Sequence, residues 1–328
     1  MMFMKLARFS VLLMIVLILA CDAPRENPFD PNSSNYYEQK SELIVSRVFV
    51  KQLYPPFNPI ANAQVIEPNL NLFGTTNAQG VVQFEHKAVD SLLFMVSAEP
   101  YFADTLKFSR KQTNDYEIFL NAKPAVENTK FVSFFNNIYD QFSITSIYME
   151  ALITDLDGPI DISSVRLQDE TYGFDTLLVR DANNSDLFKI EFDLRDVSSD
   201  LTPEAAPELN FHLIVKNNND DRVIKGPYVI KRVIQANLVQ LSPTISTVTQ
   251  DSVVFRWVDP ELSYGYVFNI ILLKFPTFEE IAYKGIPKGQ TSLIVKNLSP
   301  GQYNWKLQVE DRLGNICQSN YIIFYHEQ

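Results

Sequence analysis

The chain has 328 residues, of which 46% are hydrophobic, 12% aromatic and 20% charged. That apolar content can fill real cores, which excludes wholesale disorder and a collagen-like repeat, and the length suggests two or three domains. Lys and Arg number 28 against 39 Asp and Glu, a net charge of −11. A phosphate backbone needs a basic face that this balance cannot easily supply, so nucleic acid is excluded as a partner.

The first residues carry Lys5 and Arg8, followed by an apolar stretch from Phe9 to Ala20. It is shorter than the roughly 20 apolar residues that span a bilayer and fits the apolar region of a secretory signal, here residues 1–20. Directly after it, Ile18-Leu19-Ala20-Cys21 resembles the lipobox of bacterial lipoproteins. The resemblance implies cleavage before Cys21, a diacylglyceryl thioether on its sulfur and an acyl chain on its new amino group. Each buried methylene contributes about 0.8 kcal/mol, so several acyl chains hold a body at a membrane without a spanning helix. The competing reading is an ordinary cleaved signal peptide followed by an unrelated cysteine. Lipidation of Cys21 would leave Cys317 without an intrachain disulfide partner, as a small apolar residue of the last strands.

Asp22 at the second mature position matches an inner-membrane retention signal of one bacterial sorting system. The segment Asn27-Pro28-Phe29-Asp30-Pro31, however, resembles a stretch found just after the anchor in lipoproteins of Bacteroidota-like bacteria, which implies the outer membrane. The whole segment 21–42 is rich in Pro, Asn, Ser and charge and has no apolar periodicity. It reads as the lipidated N-terminus and an extended linker.

Beyond residue 42 the apolar runs are short, rich in Val, Ile, Phe, Tyr and Thr, often alternating, and separated by Asn, Asp, Pro or Gly. This pattern predicts an all-β chain of three tandem immunoglobulin-like or fibronectin-like β-sandwiches. A single helical turn is expected at Pro276–Tyr283. In the first module, 43–122, Asn62-Ala63-Gln64-Val65 and Thr75–Phe84 resemble the carboxypeptidase regulatory-like, transthyretin-like sandwich. The resemblance places Gly80 in a positive-φ turn, with Val82 and Phe84 pointing one way and Gln83 the other. Pro100 stands before Tyr101, where that family often has a Gly-Tyr pair.

The second module, 123–236, offers strands at Ile144–Thr154, Ile162–Leu167, Phe188–Leu194, Leu209–Lys216 and Tyr228–Ile234, with a hairpin loop at 217–221. It resembles the immunoglobulin-type sandwiches strung along bacterial surface proteins. The third, 237–328, carries Val253-Val254-Phe255-Arg256-Trp257 and Leu298-Ser299-Pro300-Gly301-Gln302-Tyr303-Asn304-Trp305, which resemble a fibronectin type III domain. That resemblance implies Trp257 across the core and a corner at which the Tyr303 hydroxyl is satisfied by backbone.

Chemistry is thinly signalled. His86, His212 and His326 are widely separated, and none has a second ligand at i+2 or i+4, so no catalytic residue is assigned. Phosphate-binding loops, nucleophile elbows and metalloprotease motifs do not occur in the sequence. The pairs Asp155/Asp157, Asp169/Glu170, Asp220/Asp221 and Glu279/Glu280 are expected on solvated loops. Asp155, Asp157 and Asp161 around Gly158 could offer oxygen ligands to Ca²⁺, but turn aspartates capping their own backbone explain them as well and are the favoured reading, so no metal residue and no cofactor are assigned. Tyr36, Tyr37, Tyr54, Tyr264 and Tyr266 are the tyrosines expected to be exposed, where they could stack on sugars.

The resulting expectation is a non-enzymatic, lipid-anchored protein of the bacterial envelope, at the outer membrane. Its sandwiches would present a binding or structural surface to a protein or polysaccharide partner. The alternative is a carbohydrate-binding or substrate-capturing accessory lipoprotein of an outer-membrane uptake system.

Overall fold

The computed structural model describes residues 43–109, 114–139 and 142–327. The signal, lipobox and tether expectations, with Tyr36 and Tyr37, lie outside the described residues. The chain forms two compact units. The first comprises most of residues 43–120; the second contains 121–328 together with the short segments 52–56 and 100–102.

Among the described residues, seven strands build the first unit: β1 (Leu43–Gln52), β2 (Gln64–Glu67), β3 (Leu72–Thr75), β4 (Val81–Lys87), β5 (Ser91–Ser97), β6 (Asp104–Ser109) and β7 (Asp115–Leu120). They pair as two sheets, β4-β1-β7 and β3-β2-β5-β6. Alternation in sequence becomes alternation in burial: Phe84 and His86 face inward while Gln83, Glu85 and Lys87 face solvent. Phe94 and Tyr116 meet in this core with ring centroids 5.4 Å apart. Gly80 has φ 72°, and a Cβ there would stand 2.5 Å from the Val50 carbonyl oxygen. Only glycine fits that close approach.

In the second unit, β8 (Ala125–Tyr139), β9 (Phe142–Thr154), β12 (Val179–Arg180) and β13 (Leu187–Asp193) face a sheet made of β10 (Ile162–Asp169), β11 (Phe174–Leu177), β14 (Phe211–Asn217) and β15 (Arg222–Tyr228). Met149, Leu167, Phe211 and Ile230 lie in the core between them. The 217–221 loop is a hairpin as expected: Asn217 Oδ1 accepts from the N–H groups of Asn219 and Asp221, and Asp220 takes φ 64°.

A second sandwich follows. One sheet is β16 (Gln240–Ser242), β18 (Ser252–Trp257) and β21 (Ser292–Lys296). Facing it are β19 (Tyr266–Phe275), β20 (Glu279–Pro287), β22 (Gly301–Asp311), β23 (Ile316–Gln318) and β24 (Ile322–His326), with β17 (Thr247–Thr249) on β24. Trp257 and Trp305 are both buried in its core, and the Tyr303 hydroxyl donates to the Ser299 carbonyl at 2.7 Å. These are the core and corner positions that the fibronectin-like pattern implies.

The two sandwiches of this unit are joined edge to edge. Strand β23 pairs in parallel with β8, matching Ile316, Cys317 and Gln318 to Phe134, Phe135 and Asn136, and this makes one ten-stranded sheet through both.

Two expected elements are corrected. Pro276–Tyr283 is not a helical turn, because the chain turns at 276–278 and enters β20 at Glu279. Its apolar residues face the sheet neighbour Leu272 through Ile281 and do not form a helical face. Tyr228–Ile234 is not a strand: β15 ends where that stretch begins, and residues 229–239 form no ladder. Burial alternates there as in a strand, with Ile230, Ile234, Ala236 and Leu238 inside, which is why the sequence pattern misleads. Side chains take the carbonyls instead: Ser133 Oγ donates to Arg232 O at 2.9 Å and Asn137 Nδ2 to Ala236 O at 2.7 Å.

Candidate functional site

Among the described residues, the turn from β9 to β10 gathers three acidic side chains into one cluster. It reads Asp155-Leu156-Asp157-Gly158, then a 3₁₀ turn Pro159–Asp161 that runs straight into β10. Gly158 takes φ 97°, its N–H donates to Asp155 O at 3.0 Å, and its carbonyl accepts from the Asp161 N–H at 3.0 Å. This fold-back turns the three carboxylates toward one another, with ligand-capable oxygens all within 4.8 Å.

Turn-capping accounts for part of the arrangement. Asp155 Oδ1 accepts from the Asp157 N–H at 2.8 Å, and Asp157 Oδ2 accepts from the Ala122 N–H at 2.6 Å. The other oxygens, Asp155 Oδ2, Asp157 Oδ1 and both of Asp161, are buried and lack a hydrogen bond of normal geometry. The cost appears as proton affinity. Burial, opposed by the Asp157 N–H and reinforced by the charges of Asp161 and Asp157, pushes the Asp155 carboxyl up to about 6. Burial likewise raises Asp157, with the Asp161 charge adding to it. Tyr54 stands beside the cluster, its phenol raised first by its interaction with Asp161 and then by burial.

The remaining candidate residues are placed as follows. His86 donates from Nδ1 to the Lys87 carbonyl at 2.7 Å, so its Nε2 accepts from the Ser46 hydroxyl at 2.8 Å. His326 contacts Thr249 Oγ1 at 2.9 Å. Both are buried, His86 in the first unit and His326 in the second. Asp169 is not solvated as expected but 1% exposed, held by the N–H groups of Tyr172 and Asn210. Tyr266 is a core residue rather than an exposed one, bonded to Asp259, and Tyr54 and Tyr264 are half-buried. Arg232 lies over the Tyr264 ring at 3.9 Å, which covers the face that a sugar would use. Cys317 is fully buried beside the Ala236 carbonyl, and burial pushes its thiol up to about 11, so it is unreactive.

Sequence reading missed Glu67, which is buried at the end of β2 and accepts from Leu70 N, Leu93 N and Asn69 Nδ2. Its place on an alternating strand, in phase with Val65, was the available signal. An open groove of about 420 Å³ also lies along the seam of the ten-stranded sheet, lined by Asn137, Gln235, Asn237, Gln240, Ser319 and Asn320 among others.

No family model and no curated protein matches this chain. Among solved structures, it is similar to the FN1-FN3 domains of chicken CNTN1 (TM-score 0.33, 10% identity, 81% of this chain and 91% of that one). It is also similar to BcpA, the major pilin subunit of Bacillus cereus (0.30, 9%, 88% and 100%), and to fibronectin(III)-like modules of Clostridium thermocellum CbhA (0.28, 9%, 62% and 94%). The assignment of an all-β sandwich fold rests on the strand pairing described above.

Proposed function

We propose that this chain is a lipid-anchored protein of the bacterial envelope, tethered at the outer membrane through Cys21, and that its sandwiches act as a non-catalytic binding or structural module. The observation that supports this best is the seam between β8 and β23. A module that presents a surface at a set distance from a membrane needs neighbouring sandwiches that do not hinge, and a shared sheet supplies that stiffness. Loops at the sandwich ends and the amide-lined groove along the seam then offer contact surface on a rigid frame. The first unit, with its Gly80 turn and alternating β4, is read as a transthyretin-like spacer next to the tether.

Protease treatment of intact cells, followed by cross-linking and mass spectrometry of bound material, tests this reading. Surface display predicts cleavage without permeabilising the outer membrane and a cross-linked protein or polysaccharide partner. A chain that stays intact until permeabilisation contradicts surface display, and a chain recovered with no envelope partner contradicts the binding role.

A further inference from the structure

Four carboxylates are buried among the described residues: Glu67, Asp161, Asp169 and Asp311. Three are fully provided for. Glu67 and Asp169 accept the backbone amides named above, and Asp311 accepts from the N–H groups of Leu313 and Asn315 and pairs with Arg232 at 3.4 Å. Asp161 is 2% exposed, and neither of its oxygens has a hydrogen bond of normal geometry; its neighbour Tyr54 is a neutral phenol that brings no counter-charge. Native structures rarely leave a buried carboxylate without a hydrogen-bond partner or counter-charge.

A guanidinium that reaches the backbone of the same turn does not fill the role. Arg180 donates to the carbonyls of Pro159, Ile162 and Ser185, at 2.9, 3.0 and 2.8 Å, and so is bonded to backbone instead of the carboxylates. One carboxylate oxygen from each of Asp155, Asp157 and Asp161 lies within 4.8 Å of the other two. Oxygens bound to one Ca²⁺ at roughly 2.3–2.6 Å lie at most about 4.6–5.2 Å apart, whereas those around Mg²⁺, at roughly 2.0–2.1 Å, lie closer and demand octahedral order. Asn121, buried and with both amide atoms unpartnered, stands one residue before the Ala122 N–H that holds Asp157, so a neutral oxygen donor is near in the chain.

We propose that Asp155, Asp157 and Asp161 form a calcium site in the β9–β10 turn. The ion would take the unpartnered oxygen of Asp155, that of Asp157 and the carboxylate of Asp161, leaving the two turn-capping hydrogen bonds intact. It would tie the turn to the segment at Ala122 and to the start of β10. Three protein carboxylates in a half-open turn suit the weaker class of extracellular calcium modules, with dissociation constants of about 10⁻⁴–10⁻³ M. The inference does not depend on the anchoring proposal.

The test uses the full-length chain, purified in detergent and stripped with EDTA. Calorimetric titration with CaCl₂ should show one ion per chain with a dissociation constant below about 10⁻³ M. Calcium at about 5 mM should raise the melting temperature by roughly 5 °C, with magnesium at least tenfold weaker. Asp161→Asn should weaken calcium binding at least tenfold, yet in EDTA it should melt at or above the unsubstituted chain, because it removes the unpaired charge. Asp157→Asn, which is less buried, repeats the binding readout should Asp161→Asn fail to fold, and Asp220→Asn should leave binding unchanged. Absence of a calcium response in the unsubstituted chain overturns the proposal, as does a full response in both Asp161→Asn and Asp157→Asn. An equal response to magnesium overturns the assignment to calcium.

Discussion

Ser133 on β8 and Asn315 in the turn before β23, 182 residues apart in sequence, meet at the sheet seam, where the Ser133 N–H donates to Asn315 Oδ1 at 3.0 Å. The Ser133 hydroxyl, 3.2 Å from the same oxygen, donates to the Arg232 carbonyl at 2.9 Å. Asn315 in turn sends its Nδ2 to Asp311 at 3.2 Å. One buried amide thereby connects both sandwiches and the segment that joins them. Asn315→Ala leaves the Ser133 N–H buried and unpaired, a loss of about 1–3 kcal/mol. Urea denaturation followed by tryptophan fluorescence, which reports only the last sandwich, and by circular dichroism should give coincident curves for the unsubstituted chain. Separated curves are expected for the variant.

The two tryptophans are equally buried but differ in their hydrogen bonds. Trp305 Nε1 donates to the Pro243 carbonyl at 2.9 Å, while Trp257 Nε1 has no partner. Both Trp→Phe substitutions leave a cavity, but only Trp305→Phe also orphans a carbonyl. Trp305→Phe should therefore cost about 1 kcal/mol more than Trp257→Phe in equilibrium unfolding.

Two positive-φ glycines should respond differently to alanine. At Gly80 the added Cβ meets the Val50 carbonyl oxygen at 2.5 Å, so the β1–β4 pairing must shift, with an expected loss of about 3 kcal/mol or more from the first unit. At Gly158 nothing lies within 4 Å, leaving only the backbone strain of φ 97°, about 1–2 kcal/mol. Thermal melts of the two variants check the order.

Acid sensitivity should be partly traceable to Asp193, the N-cap of the short helix α1 (Leu194–Val197). Its hydrogen bonds with the Arg195 side chain, only partly opposed by burial, hold its carboxyl below the usual range. A folded-state pKa below the unfolded one adds stability that is complete above the unfolded value and lost as pH falls through the folded one. Asp193→Asn keeps a capping side chain but removes the charge. Its stability should fall less steeply than that of the unsubstituted chain below about pH 4.

The strands and the core of the last sandwich were legible because inward residues alternate with outward ones, as in Val253, Phe255 and Trp257. The Arg232–Leu238 stretch alternates equally well yet pairs with no strand, since periodicity records burial and says nothing about which groups take the backbone carbonyls. The seam was not legible at all: a parallel β8–β23 pairing joins positions far apart in sequence, and neither carries a turn or motif that names its partner. At the acidic turn the residues were visible, and capping by Asp155 and Asp157 was foreseeable from turn chemistry. What sequence could not give was the burial of Asp161 beside Tyr54, a residue far earlier in the chain.

The anchoring of this module at a membrane is tested most directly by the mass of the N-terminal peptide from the chain extracted out of the membrane fraction. The proposal predicts a peptide that begins at Cys21, lacks residues 1–20 and carries the added mass of a diacylglyceryl group and an amide-linked acyl chain. An unmodified Cys21, or a mature N-terminus anywhere else, would contradict it.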